Sequence, residues 1–221
     1  MTIDQLIPRL LAVAMILLIS FPVHEFAHAL AAYRLGDGTA KLFGRLTLNP
    51  IAHFDPLGGL ILIASAVLGG VGIGWAKPTP VNPANLQGGR QGDAIVAFAG
   101  PASNLVLAAA GAIPLRFILS TGTPPLFVVE TLGTFVLINI ALMLFNLLPI
   151  PPLDGSKVLF AFLSPRATWQ WRPVLEQYGI FILLAVAFLP LGPNRQTVFQ
   201  LVFNVIGLRI FDLFVGTQLA G

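Results

Sequence analysis

The chain alternates between long apolar runs and short stretches rich in glycine, proline or charged residues. About 20 apolar residues in an α-helix cross the ~30 Å hydrocarbon core of a bilayer. We therefore expect an all-α polytopic membrane protein, a bundle of about six membrane segments with a small β-hairpin or re-entrant element after the first helix. The apolar runs occupy residues 6–33, 57–73, 91–119, 124–148, 178–191 and 198–215.

Composition favours the same class. Of 221 residues, 56% are hydrophobic and only 10% are charged, whereas soluble domains carry about 25% charged residues. Residues 1–221 are therefore predicted to form a single membrane-embedded domain in the cell membrane, with the lipid bilayer as its surroundings. The net charge of +3 comes from a few Lys and Arg residues, which mark cytoplasmic loops rather than nucleic-acid binding.

One motif places three ionisable side chains within little more than one turn of the first apolar run. It reads His24-Glu25-Phe26-Ala27-His28 and contains two of the three histidines of the chain. Histidines at i and i+4 share one helix face and can bind one zinc ion, with the glutamate beside it. A chance match is the alternative, but each ionisable residue in a membrane helix costs roughly 2.5–3.5 kcal/mol and indicates function.

A secretory signal peptide is the competing interpretation of this region. Residues 10–21 have the length of a signal-peptide core, and residues 27–29 have the small-x-small form of a cleavage site. The preceding segment is a poor match because Asp4 offsets Arg9. Cleavage would also remove the motif, so a retained membrane helix is favoured.

The first helix is expected to be irregular near Pro22, which has no backbone N–H, and to end at the glycine-rich residues 34–38. Arg34, Lys41 and Arg45 follow. By the positive-inside rule this end is cytoplasmic. The active site is therefore predicted to lie towards the cytoplasmic side.

Two segments between the first and second long runs are harder to assign. Residues 39–49 are β-prone and predict a short strand or hairpin whose free edge accepts an extended peptide by strand addition, with an ordinary loop as the alternative. Residues 57–73 are long enough for about one membrane crossing. An even number of crossings is needed between the first helix and the run at 91–119, because the first ends and the second begins on the cytoplasmic side. Either this run re-enters on one side, or residues 74–83 return as extended chain, which requires protein or a water-filled cavity around them.

A second candidate ligand follows the apolar run at 124–148. Pro149, Pro151 and Pro152 forbid regular helix and leave extended chain before Asp154. A carboxylate in such apolar surroundings is costly unless it is paired or binds metal. Asp154 is therefore the predicted third zinc ligand, with a helix N-cap as the alternative role, and His53 is a less favoured ligand.

The buried amide of Asn104, near the start of the run at 91–119, also needs a partner. It either joins helices as a packing contact or supports the site and contacts substrate near the metal. The chain has no cysteine, so a zinc site has only histidine and carboxylate ligands to use.

Two histidines, one aspartate and one water complete a tetrahedral zinc shell with an open position. Zinc activates water and polarises a carbonyl, and Glu25 is placed to act as general base. The predicted reaction is hydrolysis of a peptide bond in a transmembrane protein substrate. The alternative is a non-catalytic zinc-binding membrane protein or transporter. Transport is disfavoured because transporters spread polar groups along a path.

These motifs resemble the site-2 protease family of intramembrane zinc metalloproteases, in a compact prokaryotic form. The resemblance rests on residues 24–28, on Gly100-Pro101 through Asn104, and on the series from Asn146 to Asp154-Gly155. It implies one zinc ion held by His24, His28 and Asp154, with Glu25 as the catalytic base. It also implies that Asn146 and Asn104 contact substrate. No PDZ insertion or nucleotide-sensing domain is recognisable in the sequence.

Overall fold

A computed structural model describes residues 3–67, 74–120, 122, 125–191 and 195–216 of the chain, and these residues are predominantly helical. Their only β-type pairing is a single bridge between Leu191 and Gln196. The α-helices are α1 (Ile3–Met15), α2 (Phe21–Arg34), α3 (Thr39–Leu42), α4 (Pro50–His53), α5 (Pro56–Val67), α6 (Arg90–Ser120), α7 (Leu126–Asn146), α8 (Asp154–Phe162), α9 (Pro165–Phe188), α10 (Val198–Val202) and α11 (Leu208–Val215).

Five helical segments of the described residues are long and apolar enough to cross a membrane. They are Leu10–Arg34, Arg90–Ser120, Leu126–Asn146, Pro165–Phe188 and Val198–Val215. The expected multi-pass membrane fold is confirmed, but the count of about six spans is slightly too high. The difference lies at α5, whose 12 described residues are fewer than the ~20 that a crossing needs.

The first span is one continuous helix with a π-helical segment in its middle. This segment, Ile16–Ser20, joins α1 to α2, and the backbone N–H of Phe21 reaches back to the carbonyl of Ile16. Pro22 follows at once and has no N–H to donate, so a regular α-helical ladder cannot continue through it. The irregularity expected near Pro22 takes this form. The helix ends at Arg34, and Gly36 turns the chain with a φ of 102°.

The predicted hairpin at residues 39–49 is wrong, because the segment begins with the short helix α3. The N–H of Leu42 bonds to the carbonyl of Gly38 and that of Phe43 to Thr39, which are helical rather than ladder bonds. The carboxylate of Asp37 accepts from both the N–H and the hydroxyl of Thr39 and thereby starts the helical turn. With no strand among these residues, there is no strand edge here for a peptide to extend.

Residues 74–82 lead back towards α2 without regular structure. Residues 68–73 lie outside the described residues. Beyond them, a Cβ on Gly74 or Gly58 would lie closer than 3.0 Å to the neighbouring segment, so residues 74–75 run directly against α5. The N–H of Lys77 then donates to the carbonyl of His53 (2.8 Å). Residues 74–82 are thus irregular chain in contact with protein groups, which is a condition that an extended return through the membrane requires.

The largest hydrophobic core lies between α6, α7 and α11. It contains Ala108, Ala112, Leu115, Val136, Ile140, Phe211 and Val215. Small residues on α6 allow close packing: a Cβ on Gly111 would lie closer than 3.0 Å to the ring of Phe135 on α7. Helix α6 also contacts α2 and α8. It is therefore the element around which the motif residues of the first span and those after α7 are assembled.

Candidate metal centre

Helix α2 presents His24 and His28 on one face, one turn apart, as the i, i+4 spacing requires. Both side chains are buried, and their Nε2 atoms are 3.0 Å apart. Two imidazole nitrogens this close repel each other through their lone pairs unless a proton or a metal ion lies between them. The first span therefore presents two candidate metal ligands side by side.

Asp154 completes the cluster from the other end of the chain. It is the first residue of α8, directly after the turn through Pro149 and Pro152, and its Oδ2 lies 3.3 Å from Nε2 of both His24 and His28. The alternative role as an N-cap is not adopted, because the cap position is Leu153 and no side chain caps the helix. Burial raises the pKa of the Asp154 carboxyl, but contacts with the two imidazoles outweigh it and lower the pKa overall.

These three side chains fit zinc. One ligand atom from each lies within 4.8 Å of the others. Ligands placed tetrahedrally at 2.0–2.1 Å from zinc are about 3.3 Å apart, close to the 3.0–3.3 Å found between these atoms. Two nitrogens and one carboxylate oxygen form a donor set that catalytic zinc sites use, with a fourth position left open.

Both imidazoles are held through their second nitrogen. Nδ1 of His28 lies 2.7 Å from the backbone carbonyl of Val96, and Nδ1 of His24 lies 2.5 Å from Oδ1 of Asn104. Oxygen acceptors at these positions favour protonated Nδ1 and leave the Nε2 lone pairs for a metal. Both supports belong to α6, which explains why this helix carries polar groups in its buried part.

Gly100 makes room for the two rings. A Cβ at this position would lie 2.6 Å from Nε2 of His24 and closer than 3.0 Å to Nε2 and Cε1 of His28. No side chain fits at such separations. The glycine of the Gly100-Pro101 motif is therefore required by the volume of the histidine pair rather than by its own backbone angles.

The carboxylate and the backbone carbonyl of Glu25 both contact the irregular return segment. The N–H of Thr79 donates to Oε2 of Glu25 (2.7 Å), and the Thr79 hydroxyl donates to the backbone carbonyl of Glu25 (3.0 Å). No motif of the sequence includes Thr79. Its only local signal is the surrounding proline pair, which keeps the backbone extended.

The remaining candidates lie in different settings. Asn104 is fully buried and its amide nitrogen donates to Oδ1 of Asn139 (3.0 Å), so it has no free surface for substrate. Asn146 is the last residue of α7, half-buried, and donates to the carbonyl of Leu142. His53 is buried, with Nε2 2.8 Å from the carbonyl of Thr47. It is not in the group of described residues able to hold a metal.

Comparison with known proteins gives a consistent result. The profile of Peptidase family M50 matches residues 122–189, which include Asp154. The chain is 39% identical over 181 residues to a protein of Bacillus subtilis (80% of each chain) and 34% identical over 207 residues to one of Mycolicibacterium smegmatis (91% of this chain, 76% of the relative). A Mycobacterium tuberculosis relative is 32% identical over 176 residues, covering 78% of this chain and 65% of its own.

These three relatives carry the name "Putative zinc metalloprotease", with the suffix YwhC in Bacillus and Rip2 in the two mycobacterial species. No solved structure gives a significant match to the chain. The length and identity of the first match, together with the family profile, establish kinship over most of the chain. The chain therefore belongs to peptidase family M50, the site-2 type of intramembrane zinc metalloprotease, and its cofactor is zinc.

Proposed function

We propose that His24, His28 and Asp154 hold the zinc ion and that Glu25 is the catalytic base in hydrolysis of peptide bonds within or near the transmembrane helices of other proteins. The observation that carries this assignment is the convergence of three ligand atoms from helices 130 positions apart in the chain, at separations that suit one ion. Regulated proteolysis of membrane proteins is the biological setting that such a buried site suits.

Zinc, when bound, supplies a Lewis acid that lowers the pKa of a water to about 7 and polarises a carbonyl. Glu25 takes the proton from the attacking water as the new C–O bond forms. It then delivers this proton to the nitrogen of the leaving amine as the C–N bond breaks. The Thr79 N–H donates to Oε2 of Glu25, and in this proposal the other carboxylate oxygen carries the proton.

Asn104 and Asn146 receive different roles in this proposal. Asn104 is fully buried against His24 and Asn139, so it orients the histidine instead of touching substrate. Asn146 ends α7 eight residues before Asp154 and is half-buried, which leaves it available to a substrate carbonyl. Replacing Asn146 with alanine should raise KM and leave the zinc content close to that of wild type.

The site is reached from the cytoplasmic side in this proposal. His28 lies six residues before Arg34, which at 1.5 Å per residue is about 9 Å from the end of the helix. Arg34, Lys41 and Arg45 cluster at this end, as cytoplasmic ends do. Because the chain has no cysteine, a single cysteine at exposed Lys41 can be labelled selectively. Labelling from the cytoplasmic face alone is expected, and labelling from the opposite face alone would reverse the orientation.

The central test uses purified protein in proteoliposomes with a membrane-helix reporter and, in parallel, a soluble unfolded protein. Wild type should cleave the reporter only. Glu25→Gln should retain zinc and lose cleavage, because the amide cannot take a proton. Glu130→Gln, which changes an exposed carboxylate on α7, is the matched control and should keep activity. Cleavage retained by Glu25→Gln would remove Glu25 from the mechanism.

We further propose that residues 1–221 act as one domain, because α6 packs against α2, α7 and α8 and supports both parts of the site. Limited proteolysis of the membrane-embedded protein should therefore leave no fragment that binds zinc on its own. Recovery of a zinc-binding fragment without α8 would contradict a single domain.

A further inference from the structure

Asn139 is a fully buried residue with an amide side chain in the middle of α7, a helix that is otherwise mostly apolar. Such a group costs free energy unless every polar atom is bonded. Its amide nitrogen donates to the carbonyl of Phe135 (2.9 Å), and its Oδ1 accepts from the amide nitrogen of Asn104 (3.0 Å). Neither sequence motif of the site includes this residue, and it is not one of the three side chains able to hold the metal.

The hydrogen bonds of Asn139 fix the orientation of its own amide and, through it, that of Asn104. A backbone carbonyl only accepts, so the end of Asn139 that faces Phe135 has to be its NH₂ group. Its oxygen then faces Asn104, and only the NH₂ group of Asn104 satisfies that oxygen. Asn104 is thereby left with its own oxygen towards Nδ1 of His24, at 2.5 Å.

This orientation decides which nitrogen of His24 carries the proton. An oxygen acceptor beside Nδ1 requires an N–H there, so a neutral ring has its lone pair on Nε2. Nε2 is the atom that faces His28 and Asp154. His28 reaches the same state more directly, since its Nδ1 lies 2.7 Å from the carbonyl of Val96. A backbone carbonyl thus fixes the tautomer of each histidine. Val96 acts directly on His28, and Phe135 acts on His24 through the amides of Asn139 and Asn104.

We propose that Asn139 is a positioning residue for the zinc site: by fixing the Asn104 amide it holds His24 as the Nδ1–H tautomer with Nε2 free for metal. The inference rests on the proposed function in one respect, that His24 is a ligand. Asn139 itself touches no reacting atom. A role in helix packing alone predicts different behaviour, because packing depends on volume and polarity and not on the direction of an amide.

Two substitutions separate these roles. Asn139→Leu keeps similar volume but removes the acceptor for Asn104, which is then free to turn its NH₂ group towards His24. Asn139→Asp retains an oxygen for Asn104 and so retains the direction of its amide, while its second oxygen faces the Phe135 carbonyl and must take a proton or leave an unpaired charge among apolar side chains. Positioning therefore predicts that the leucine variant loses zinc affinity and the aspartate variant keeps it. Packing predicts that the aspartate variant is the more damaged of the two.

The experiment measures zinc affinity by competition with a chromophoric chelator and the His24 tautomer by ¹⁵N NMR of metal-free protein at alkaline pH. The spectrum is tractable because the chain has three histidines. Supporting partners of zinc ligands contribute about 10–100-fold in affinity, and we expect a loss of this size in Asn139→Leu, with a mixture of His24 tautomers. Thr134→Val, at a half-buried position on the same helix, is the control and should match wild type.

Zinc affinity within twofold of wild type in Asn139→Leu, with the Nδ1–H tautomer unchanged, would overturn the inference. Loss of affinity in Asn139→Asp greater than in Asn139→Leu would also overturn it and assign a packing role. Failure of the proposed function has a separate signature, since His24→Ala would then bind zinc as tightly as wild type. Unfolding midpoints of the metal-free variants are measured alongside, so that a loss of fold is not taken for a loss of positioning.

Discussion

The backbone N–H of Thr79 donates a hydrogen bond to the carboxylate of Glu25 across 54 positions of sequence, at 2.7 Å. It comes from a segment with no regular structure, whose flanks are held by His53 through Lys77 and by Asp37 through Asn82. Glu25, the proposed catalytic base, is thus oriented by a peptide group, which no side-chain substitution at position 79 other than proline removes.

Substitution of Thr79 by proline should therefore be far more harmful than substitution by alanine. Thr79→Ala retains the N–H and loses only the hydroxyl bond to the Glu25 backbone. Thr79→Pro removes the donor, and a hydrogen bond to a charged group contributes about 1.5–3 kcal/mol, or roughly 10- to 100-fold in kcat. Cleavage kinetics with zinc content measured in parallel test this. Equal kcat in the two variants would show that the peptide group does not orient the base.

Gly100→Ala should abolish zinc binding without unfolding the protein. The added Cβ would lie 2.6 Å from Nε2 of His24, and the rings cannot retreat without losing their contacts with Val96 and Asn104. Gly133→Ala is the matched control on a helix, where the nearest atom outside its own turn is 3.9 Å away. It should leave zinc binding intact. Metal analysis of both purified variants distinguishes them, and stoichiometric zinc in Gly100→Ala would contradict the assigned geometry.

Removal of zinc should inactivate the enzyme reversibly and lower its stability. A chelator is expected to abolish cleavage, and added zinc to restore it. Zinc at about 100 times its Kd should stabilise the fold by about 2.7 kcal/mol. Asp154→Ala should need a much higher zinc concentration for both effects, whereas Glu176→Gln at an exposed site on α9 should not. An unchanged zinc requirement in the Asp154 variant would remove it from the ligand set.

The loop at Asp37 should make stability depend on acid pH. Burial raises the pKa of the Asp37 carboxyl, but donors from Thr39, Asn82 and Asn85 outweigh burial and lower it. A lowered pKa in the folded state gives stability that is complete above the unfolded value near 4 and is lost as pH falls through the folded value. Asp37→Asn should lower the unfolding midpoint by roughly 3–8 °C at pH 7.

The difference between Asp37→Asn and wild type should shrink below about pH 4, because protonation removes the same charge from the wild type. Glu130→Gln, which alters an exposed carboxylate, should show little difference at either pH. Thermal unfolding in detergent across this range provides the measurement. A gap between Asp37→Asn and wild type that stays constant down to pH 2 would argue against an ionised Asp37 as the cause.

Local patterns were sufficient to predict the parts of the site that depend on periodicity and chain breaks. The i, i+4 spacing of His24 and His28 requires only a helix, and the helix is there. The proline series before Asp154 requires only an end to α7, and α7 ends at Asn146. Apolar length gave the membrane spans, except that the 12 described residues of α5 are fewer than a crossing needs.

Long-range partners account for what sequence reasoning missed. The composition of residues 39–49 predicts a strand, but the carboxylate of Asp37, which Asn82 and Asn85 hold from a distance in sequence, bonds to Thr39 at the start of a helix. Asn139 and Thr79 act through contacts with residues 35 and 54 positions away. A lone amide in the apolar α7 was a signal available for Asn139. No periodicity or motif points to Thr79, whose contribution is a backbone group.

The π-helical segment at Ile16–Ser20 has a consequence for the direction of the histidine pair. An extra residue in a turn rotates everything beyond it by about 100° relative to a regular helix. Shortening this segment by a single amino acid would swing the imidazoles a quarter-turn around the helix axis, away from Val96 and Asn104. The protein would then keep an intact first span of nearly unchanged hydropathy, with its two histidines directed at the wrong neighbour.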